Sequence, residues 1–323
     1  MSGLKRDNLF EKVCVKRMNA IVIENLTKKY RNNTAIDDLS IQIEERQIFG
    51  FVGPDGAGKT SLFQMLCGIL SADSGKVLAL GVDVLKNPEK LKQKLGYLSQ
   101  KFSLYNDLTV QENMDFFADL FKTPRNLLYR KDELLEFANL IRFKKRLAGN
   151  LSGGMKQKLA LCCSLIHTPE LLVLDEPTTG VDPVSRQEFW EMLKPLPSQG
   201  TTVIVSTAYM DEAEQCDEIA SMNFGRILQV GAPAALKNPL MGRIFVIKGQ
   251  ALSEIKKKMQ GCGFLEEVQE FGDSLHIQIH RGIPIREGQE HTEAFLHEND
   301  FEAAVIPIHP SMEDVFVDLL VKK

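Results

Sequence analysis

Phe51-Val52-Gly53-Pro54-Asp55-Gly56-Ala57-Gly58-Lys59-Thr60-Ser61 decides how this chain folds. From Gly53 to Thr60 it satisfies G-x-x-x-x-G-K-[ST] without a mismatch. An apolar run, Ile48 to Val52, leads into it, and Leu62, Met65, Leu66 and Leu70 follow at helical spacing. Strand, loop and helix in that order is the setting in which the pattern carries meaning. Gly53, Gly56 and Gly58 let the backbone turn tightly with its N–H groups pointing inward, and the start of the helix adds its positive dipole end. Pro54, Asp55, Ala57 and Ser61 complete the wrap. Lys59 is placed to reach β and γ phosphates, and Thr60 to offer a hydroxyl to Mg²⁺. A bare glycine-rich turn is a poor account of so full a match, and the chain is expected to bind a nucleoside triphosphate.

The 323 residues predict two domains, and 44% hydrophobic with 25% charged residues is an ordinary globular composition. A net charge of −4 speaks against a nucleic-acid partner. No run of eighteen apolar residues occurs; the best candidate, Leu159 to Leu174, is interrupted by His167, Pro169 and Glu170. The first seventeen residues carry Lys5, Arg6, Lys12, Lys16 and Arg17 but no apolar core, so they read as a polar extension rather than a signal peptide. The six cysteines (14, 67, 162, 163, 216, 262) show no C-x-x-C spacing and are expected to be free thiols in a reducing cytosol.

Ile21-Val22-Ile23 alternating into Leu26, then Ile36, Leu39, Ile41 and Ile43, predict a small antiparallel sheet ahead of the phosphate loop. Helical patterns run from Val110 to Phe121 and from Arg130 to Phe143. Leu171 to Leu174 and Thr202 to Ser206 read as buried strands, and strands separated by helices imply a parallel, helix-flanked α/β sheet. Composition shifts near Lys237-Asn238-Pro239. Beyond it the reading is strand 243–248, helix 251–260, strands 264–270 and 274–280, helix 289–298 and strand 302–308, an order that suggests a small α+β ferredoxin-like unit. A last helix, 311–321, carries Met312, Val315, Phe316, Leu319 and Leu320 on one stripe. The domain division expected is an extension to 17, a nucleotide-binding domain over 18–238 and an accessory domain over 239–323.

Two further stretches carry chemistry. Asp175-Glu176 ends the apolar run 171–174, so a buried strand delivers a carboxylate to the sheet edge where ligands sit in open α/β folds. Asp175 is placed to hold Mg²⁺, and Glu176 to polarise a water against the γ-phosphate. Leu151-Ser152-Gly153-Gly154 precedes a helix with Met155, Leu159, Cys162, Cys163 and Ile166 as its apolar positions. Ser152 reads as its N-cap, and the glycines leave the first amides uncovered, a second helix start suited to an anion. Alone, that capping motif is commonplace.

The phosphate loop, L-S-G-G-M-K-Q-K at 151–158 and L-L-V-L-D-E-P at 171–177, in that order, closely resemble the nucleotide-binding subunit of ATP-binding cassette transporters over residues 19–235. The resemblance implies a P-loop NTPase fold: a RecA-like parallel core with an antiparallel β subdomain and a helical subdomain. It implies two cassettes sandwiching two ATP molecules, with Ser152, Gly153 and Gly154 of one facing the phosphate loop of the other. By match, Tyr30 stacks on adenine, Gln100 touches Mg²⁺ and the attacking water, and Asp182 in Thr179-Gly180-Val181-Asp182-Pro183 crosses the dimer interface. Lys101 to Asn106 would lie near the surface that couples to an integral membrane permease. The stretches 104–110 and 310–316, and the C-terminal domain, resemble bacterial exporters of the drug and polysaccharide type. The expected function is a cytoplasmic ATPase subunit, peripheral on the inner face of the membrane, with ATP and Mg²⁺ as cofactors. The cassette partner is a second copy or a paired chain.

One position departs from the pattern. Where the family places a histidine, in S-T-H-x-x-D-E-A, this chain has Ser206-Thr207-Ala208-Tyr209-Met210-Asp211-Glu212-Ala213. Alanine contacts no γ-phosphate. Three readings stand: a weakened natural site, a neighbour such as Tyr209 or Thr207 in its place, or an engineered substitution that traps ATP. A slowly hydrolysing regulatory cassette is the alternative function these readings keep open. A cassette ATPase acting on ribosomes or DNA ranks lower, for want of tandem cassettes, a long coiled-coil insertion or a basic surplus.

Overall fold

The computed structural model describes residues 18–31, 33–100 and 104–321; the expected extension 1–17 and the residues 101–103 behind Gln100 lie outside them. Ile48–Val52 is the hub of a six-stranded sheet, with Thr202–Thr207, Leu171–Asp175 and Leu95–Leu98 in order on one side and Glu218–Asn223 and Arg226–Gly231 on the other. All neighbours pair parallel except the last two strands, which form a hairpin. Every residue of Ile48–Val52 and Leu171–Asp175 is buried, as befits strands covered on both faces.

Strand alternation sorts the side chains into two cores. Phe49 and Phe51, with Leu171 and Val173, join Leu62, Phe63, Ile21 and Ile23 on the side of a second sheet. That sheet is antiparallel, with strands Asn33–Glu44, Asn19–Tyr30, Ser74–Ala79 and Val82–Asp83 in order. Ile48, Val52, Leu172 and Leu174 face the other way, toward Leu159, Cys162 and Met114 of a helical layer. Within that layer, Val110–Leu120 opens with a reciprocal cap in which Thr109 and Glu112 each satisfy the other's backbone N–H. The single helix expected from Arg130 to Phe143 is instead Arg130–Phe137 followed by a 3-10 turn at Ile141–Phe143, because Asn139 turns the chain at φ 57°. Gly153–Leu165 is the central helix, with both of its cysteines buried.

Beyond residue 243 the order is Ile244–Gly249, helix Leu252–Met259, Leu265–Phe271, Ser274–Ile279, helix Ile285–Glu298 and Ala303–Pro307. The strands lie 2-3-1-4 in an antiparallel sheet, the ferredoxin-like arrangement. The second helix starts at Ile285, directly after Pro284, a turn earlier than the expected 289. The closing helix, Met312–Val321, serves two bodies. Met312 and Val315 join the cassette core beside Ala213, Leu236 and Leu240. Asp314 accepts from His276 at 2.9 Å, and Asp318 from Gln278 at 2.9 Å and from Arg281, on the ferredoxin-like sheet. Leu320, expected on the buried stripe, is exposed.

Candidate functional site

Gly58 caps the helix Lys59–Leu66 at φ 103°, and a Cβ there would stand 2.3 Å from the Ala35 carbonyl oxygen, so glycine is required on both counts. Pro54, Asp55 and Gly56 form the exposed crest of the loop, while Gly53 and Ala57 are buried beneath it and Ser61 is half-buried in the first helical turn. Lys59 turns back under the crest. Its Nζ, 3% exposed as a side chain, donates to the carbonyls of Gly53 at 2.7 Å and Pro54 at 3.0 Å and pairs with Glu176 Oε1 at 3.1 Å.

The parallel register sets Asp175 beside Ser206. Asp175 Oδ1 accepts from Ser206 Oγ at 2.7 Å and from Thr60 Oγ1 at 3.3 Å, whereas the buried Oδ2 has no hydrogen-bond partner among the described residues. Burial pushes this carboxyl above its usual range against the pull of those two hydroxyls, with the Glu176 charge adding to the rise. A buried carboxylate oxygen without a donor is costly, and a hard cation would satisfy it. The neighbouring donors are of the type Mg²⁺ takes: the Thr60 hydroxyl and the amide of Gln100. Among the described residues no three His, Cys, Asp or Glu side chains converge on a metal, so this set fits an ion completed by phosphate oxygens rather than an all-protein cage.

Glu176 sits at φ 47°, a strained value for a non-glycine residue, held by its N–H donating to Ser206 Oγ at 2.9 Å. Its second carboxylate oxygen accepts from Gln100 Nε2 at 2.9 Å and, more loosely, from Thr179 Oγ1 at 3.4 Å. Lys59, Thr60, Gln100, Asp175 and Glu176, drawn from three separated stretches, thus form one continuous polar network under the phosphate loop.

The remaining candidates lie elsewhere. Ser152 caps its helix by accepting from Met155 N at 3.3 Å. Asp182 caps Pro183–Leu193 by accepting from Ser185 N at 2.9 Å, a bond that holds its carboxyl below the usual range. These two helix starts touch each other, with Gly154 lying against Ser185, instead of joining the phosphate-loop network. Tyr30 ends its strand half-exposed, with Lys28 Nζ 5.6 Å from its ring centre.

Ala208 is exposed at the end of Thr202–Thr207, where Gly53 N donates to the Thr207 carbonyl at 3.2 Å, so the position borders the phosphate loop. Both suggested stand-ins have other contacts. The Thr207 hydroxyl gives its proton to buried Glu212 at 2.6 Å and accepts from Tyr209 N at 2.9 Å. The Tyr209 ring lies under the Arg186 guanidinium at 4.7 Å. Sequence reasoning missed Ser206, whose role under Asp175 and Glu176 follows only from strand register.

The family model for ABC transporters matches residues 36–179. The probable multidrug ABC transporter ATP-binding protein YbhF of Escherichia coli (strain K12) is 40% identical over 311 residues, covering 93% of this chain and 52% of that one. The chain therefore spans about half the length of that relative. The Nod factor export ATP-binding protein I of Ralstonia nicotianae is 38% identical over 78% of this chain and 79% of its own length. Among solved structures, cbiO1 from Clostridium perfringens, part of the ABC transporter complex cbiONQ, superposes with a TM-score of 0.61 at 25% identity, covering 76% of this chain and 96% of that one. The ADP conformation of MJ1267, an ATP-binding cassette of an ABC transporter, gives 0.61 at 25% identity over 67% of this chain and 91% of that one. Identity of this order over most of both sequences, on the same fold, leaves one conclusion: the chain belongs to the ABC transporter family, as an ATP-binding cassette.

Proposed function

We propose that this chain is the ATP-hydrolysing subunit of an exporter, working as one of two paired cassettes on the cytoplasmic side of a separate membrane-spanning partner. The observation that carries the reading is the Lys59–Glu176–Gln100 network beside an Asp175 oxygen that lacks a donor. ATP's terminal phosphates offer Lys59 a stronger partner than the loop carbonyls and Glu176. Release of Lys59 frees the Glu176 carboxylate to take the proton of the water that attacks the γ-phosphorus, with ADP leaving. Asp175, Thr60 and Gln100 would hold Mg²⁺, which when bound would offset the negative charge of the nucleotide's phosphates. Tyr30 takes the adenine face, and Ser152, Gly153, Gly154 and Asp182 address the nucleotide of the opposite cassette.

Replacing Lys59 by alanine removes charge-assisted hydrogen bonds of the kind that contribute about 1.5–3 kcal/mol, so affinity for ATP falls roughly tenfold or more, measured by competition with a fluorescent analogue. Mg²⁺-dependent phosphate release by the purified chain is the direct test. A rate no higher than that with EDTA overturns the reading.

For the partner, the supporting feature is a groove of about 510 Å³ lined by Ile69, Tyr97, Leu120 and Phe121, among others. Ile69 and Leu120 are 62% and 58% exposed, large apolar surfaces that a free-standing cassette has no use for. Among the described residues no helix is long and apolar enough to cross a membrane, so the translocating path is assigned to that partner. Ile69→Glu with Leu120→Glu is expected to release the chain from the membrane fraction of cells while leaving ATP affinity unchanged. Retention of the double variant at the parent level would count against this groove. On this reading the accessory unit begins at about residue 239, supported by the helix Met312–Val321, which packs on the cassette core and bonds the ferredoxin-like sheet.

A further inference from the structure

The helices Gly153–Leu165 and Pro183–Leu193 begin at Ser152 and Asp182, and they touch at two points one turn apart. At the first, Gly154 lies so close to Ser185 that a Cβ on the glycine would stand 2.3 Å from the serine Cβ. At the second, Lys158 Nζ donates to Glu188 Oε2 at 2.6 Å. Lys158 follows Gly154, and Glu188 follows Ser185, by one helical turn on each element. Beside the apolar side chains that both helices place in one core, Leu159 and Phe189 among them, these two contacts fix how the helix starts lie against each other.

Burial makes the second contact directional. The Lys158 side chain is 8% exposed, whereas Glu188 is 47% exposed and shares a surface depression with Arg142. The ammonium therefore depends on the carboxylate, while the half-exposed carboxylate has water to fall back on. Ser185 also gives its N–H to Asp182, so a chain of contacts runs from the Asp182 loop through Ser185 to Gly154 and the start of the Ser152 helix.

We propose that Lys158 and Glu188 are positioning residues. They lock the Ser152-Gly153-Gly154 helix start and the Asp182 loop into one rigid body, so that both reach the second nucleotide together. This rests on the paired-cassette reading above. Neither residue belongs to the phosphate-loop network, so the effect falls on turnover and leaves the chain's own nucleotide grip unaltered.

The test is Lys158→Met, which keeps the stem and removes the charge. Its kcat for ATP hydrolysis is expected to fall about tenfold or more, the scale on which small misplacement of reacting groups acts. Affinity of the isolated chain for a fluorescent ATP analogue is expected to stay within twofold, and Lys158→Arg to restore most of the rate. Lys131→Met is the control: Lys131 bonds Asp115 at 2.6 Å but ties together helices that carry neither loop, and its loss is expected to leave kcat unchanged. Should the methionine variant not fold, Glu188→Asp shortens the reach by one methylene and is expected to give the same split, with kcat down and affinity held. A kcat for Lys158→Met within twofold of the parent, or an equal fall in Lys131→Met, overturns the proposal. A parent chain whose hydrolysis does not exceed that of Glu176→Gln counts instead against the paired-cassette reading itself, and takes this proposal with it.

Discussion

Glu176→Gln is expected to lower ATP hydrolysis by about 10²–10⁴, the range a positioned general base contributes, while ATP binding persists. The geometry separates these two consequences. Glutamine is nearly isosteric, and its amide oxygen still accepts from Lys59, which approaches the carboxylate at 3.1 Å. The backbone that holds residue 176 at φ 47° is anchored through its own N–H to Ser206, so the side chain stays where it is. What disappears is the capacity to accept a proton from water. Removal of the negative charge also frees Lys59 from its present partner, which favours transfer of the ammonium to the phosphates. Steady-state phosphate release gives the first quantity, and competition binding with a fluorescent nucleotide gives the second. A variant that keeps more than a tenth of the parent rate would place the base elsewhere.

Which features were readable in advance follows from how each is encoded. The phosphate loop is local: its glycines, lysine and hydroxyl are consecutive, and the strand and helix that flank it have plain patterns. The buried strands Leu171–Asp175 and Thr202–Thr207 announce themselves through the apolar runs at 171–174 and 203–205. Leu95–Leu98 and Glu218–Asn223 do not, being a four-residue edge strand and a strand whose buried positions include Ser221 and Asn223. Register lies deeper still. That Ser206 stands beside Asp175, or that Lys158 meets Glu188, depends on the alignment of elements far apart in the chain. The closing helix shows the same limit, because its heptad-like stripe is visible while the two acids that bind the neighbouring sheet look like solvated surface. The family pattern supplied Gln100, Asp182 and Tyr30, which no periodicity singles out. The structure brings the first into the phosphate-loop network and leaves the other two outside it.

Ala208→His is expected to raise hydrolysis by about a hundredfold, the scale of one preorganised donor at developing transition-state charge. The site offers room and direction for it. Ala208 is exposed, and the bond from Gly53 N to the Thr207 carbonyl, 3.2 Å, holds the backbone one residue earlier against the phosphate loop. The two neighbouring candidates, Thr207 and Tyr209, have other contacts. The Thr207 proton is committed to Oε2 of buried Glu212, whose other oxygen accepts from Thr178 at 2.5 Å, so rotating that hydroxyl toward phosphate would take this donor from Oε2. Tyr209 is packed against Arg186, and Arg186 is further held near Asp211 at 3.6 Å. Tyr209→Phe, which deletes the only other hydroxyl in the segment 207–210, is accordingly expected to leave the rate unchanged. Both variants are read by phosphate release at saturating Mg²⁺ and ATP, with Glu176→Gln as the blank. A large gain from the histidine makes this cassette a slow motor with an otherwise complete site, and the slow-gating alternative then owes its slowness to one residue. Equal rates for parent and Ala208→His, together with a drop in Tyr209→Phe, would instead assign the phosphate contact to the tyrosine and require its ring to leave the Arg186 stack during turnover.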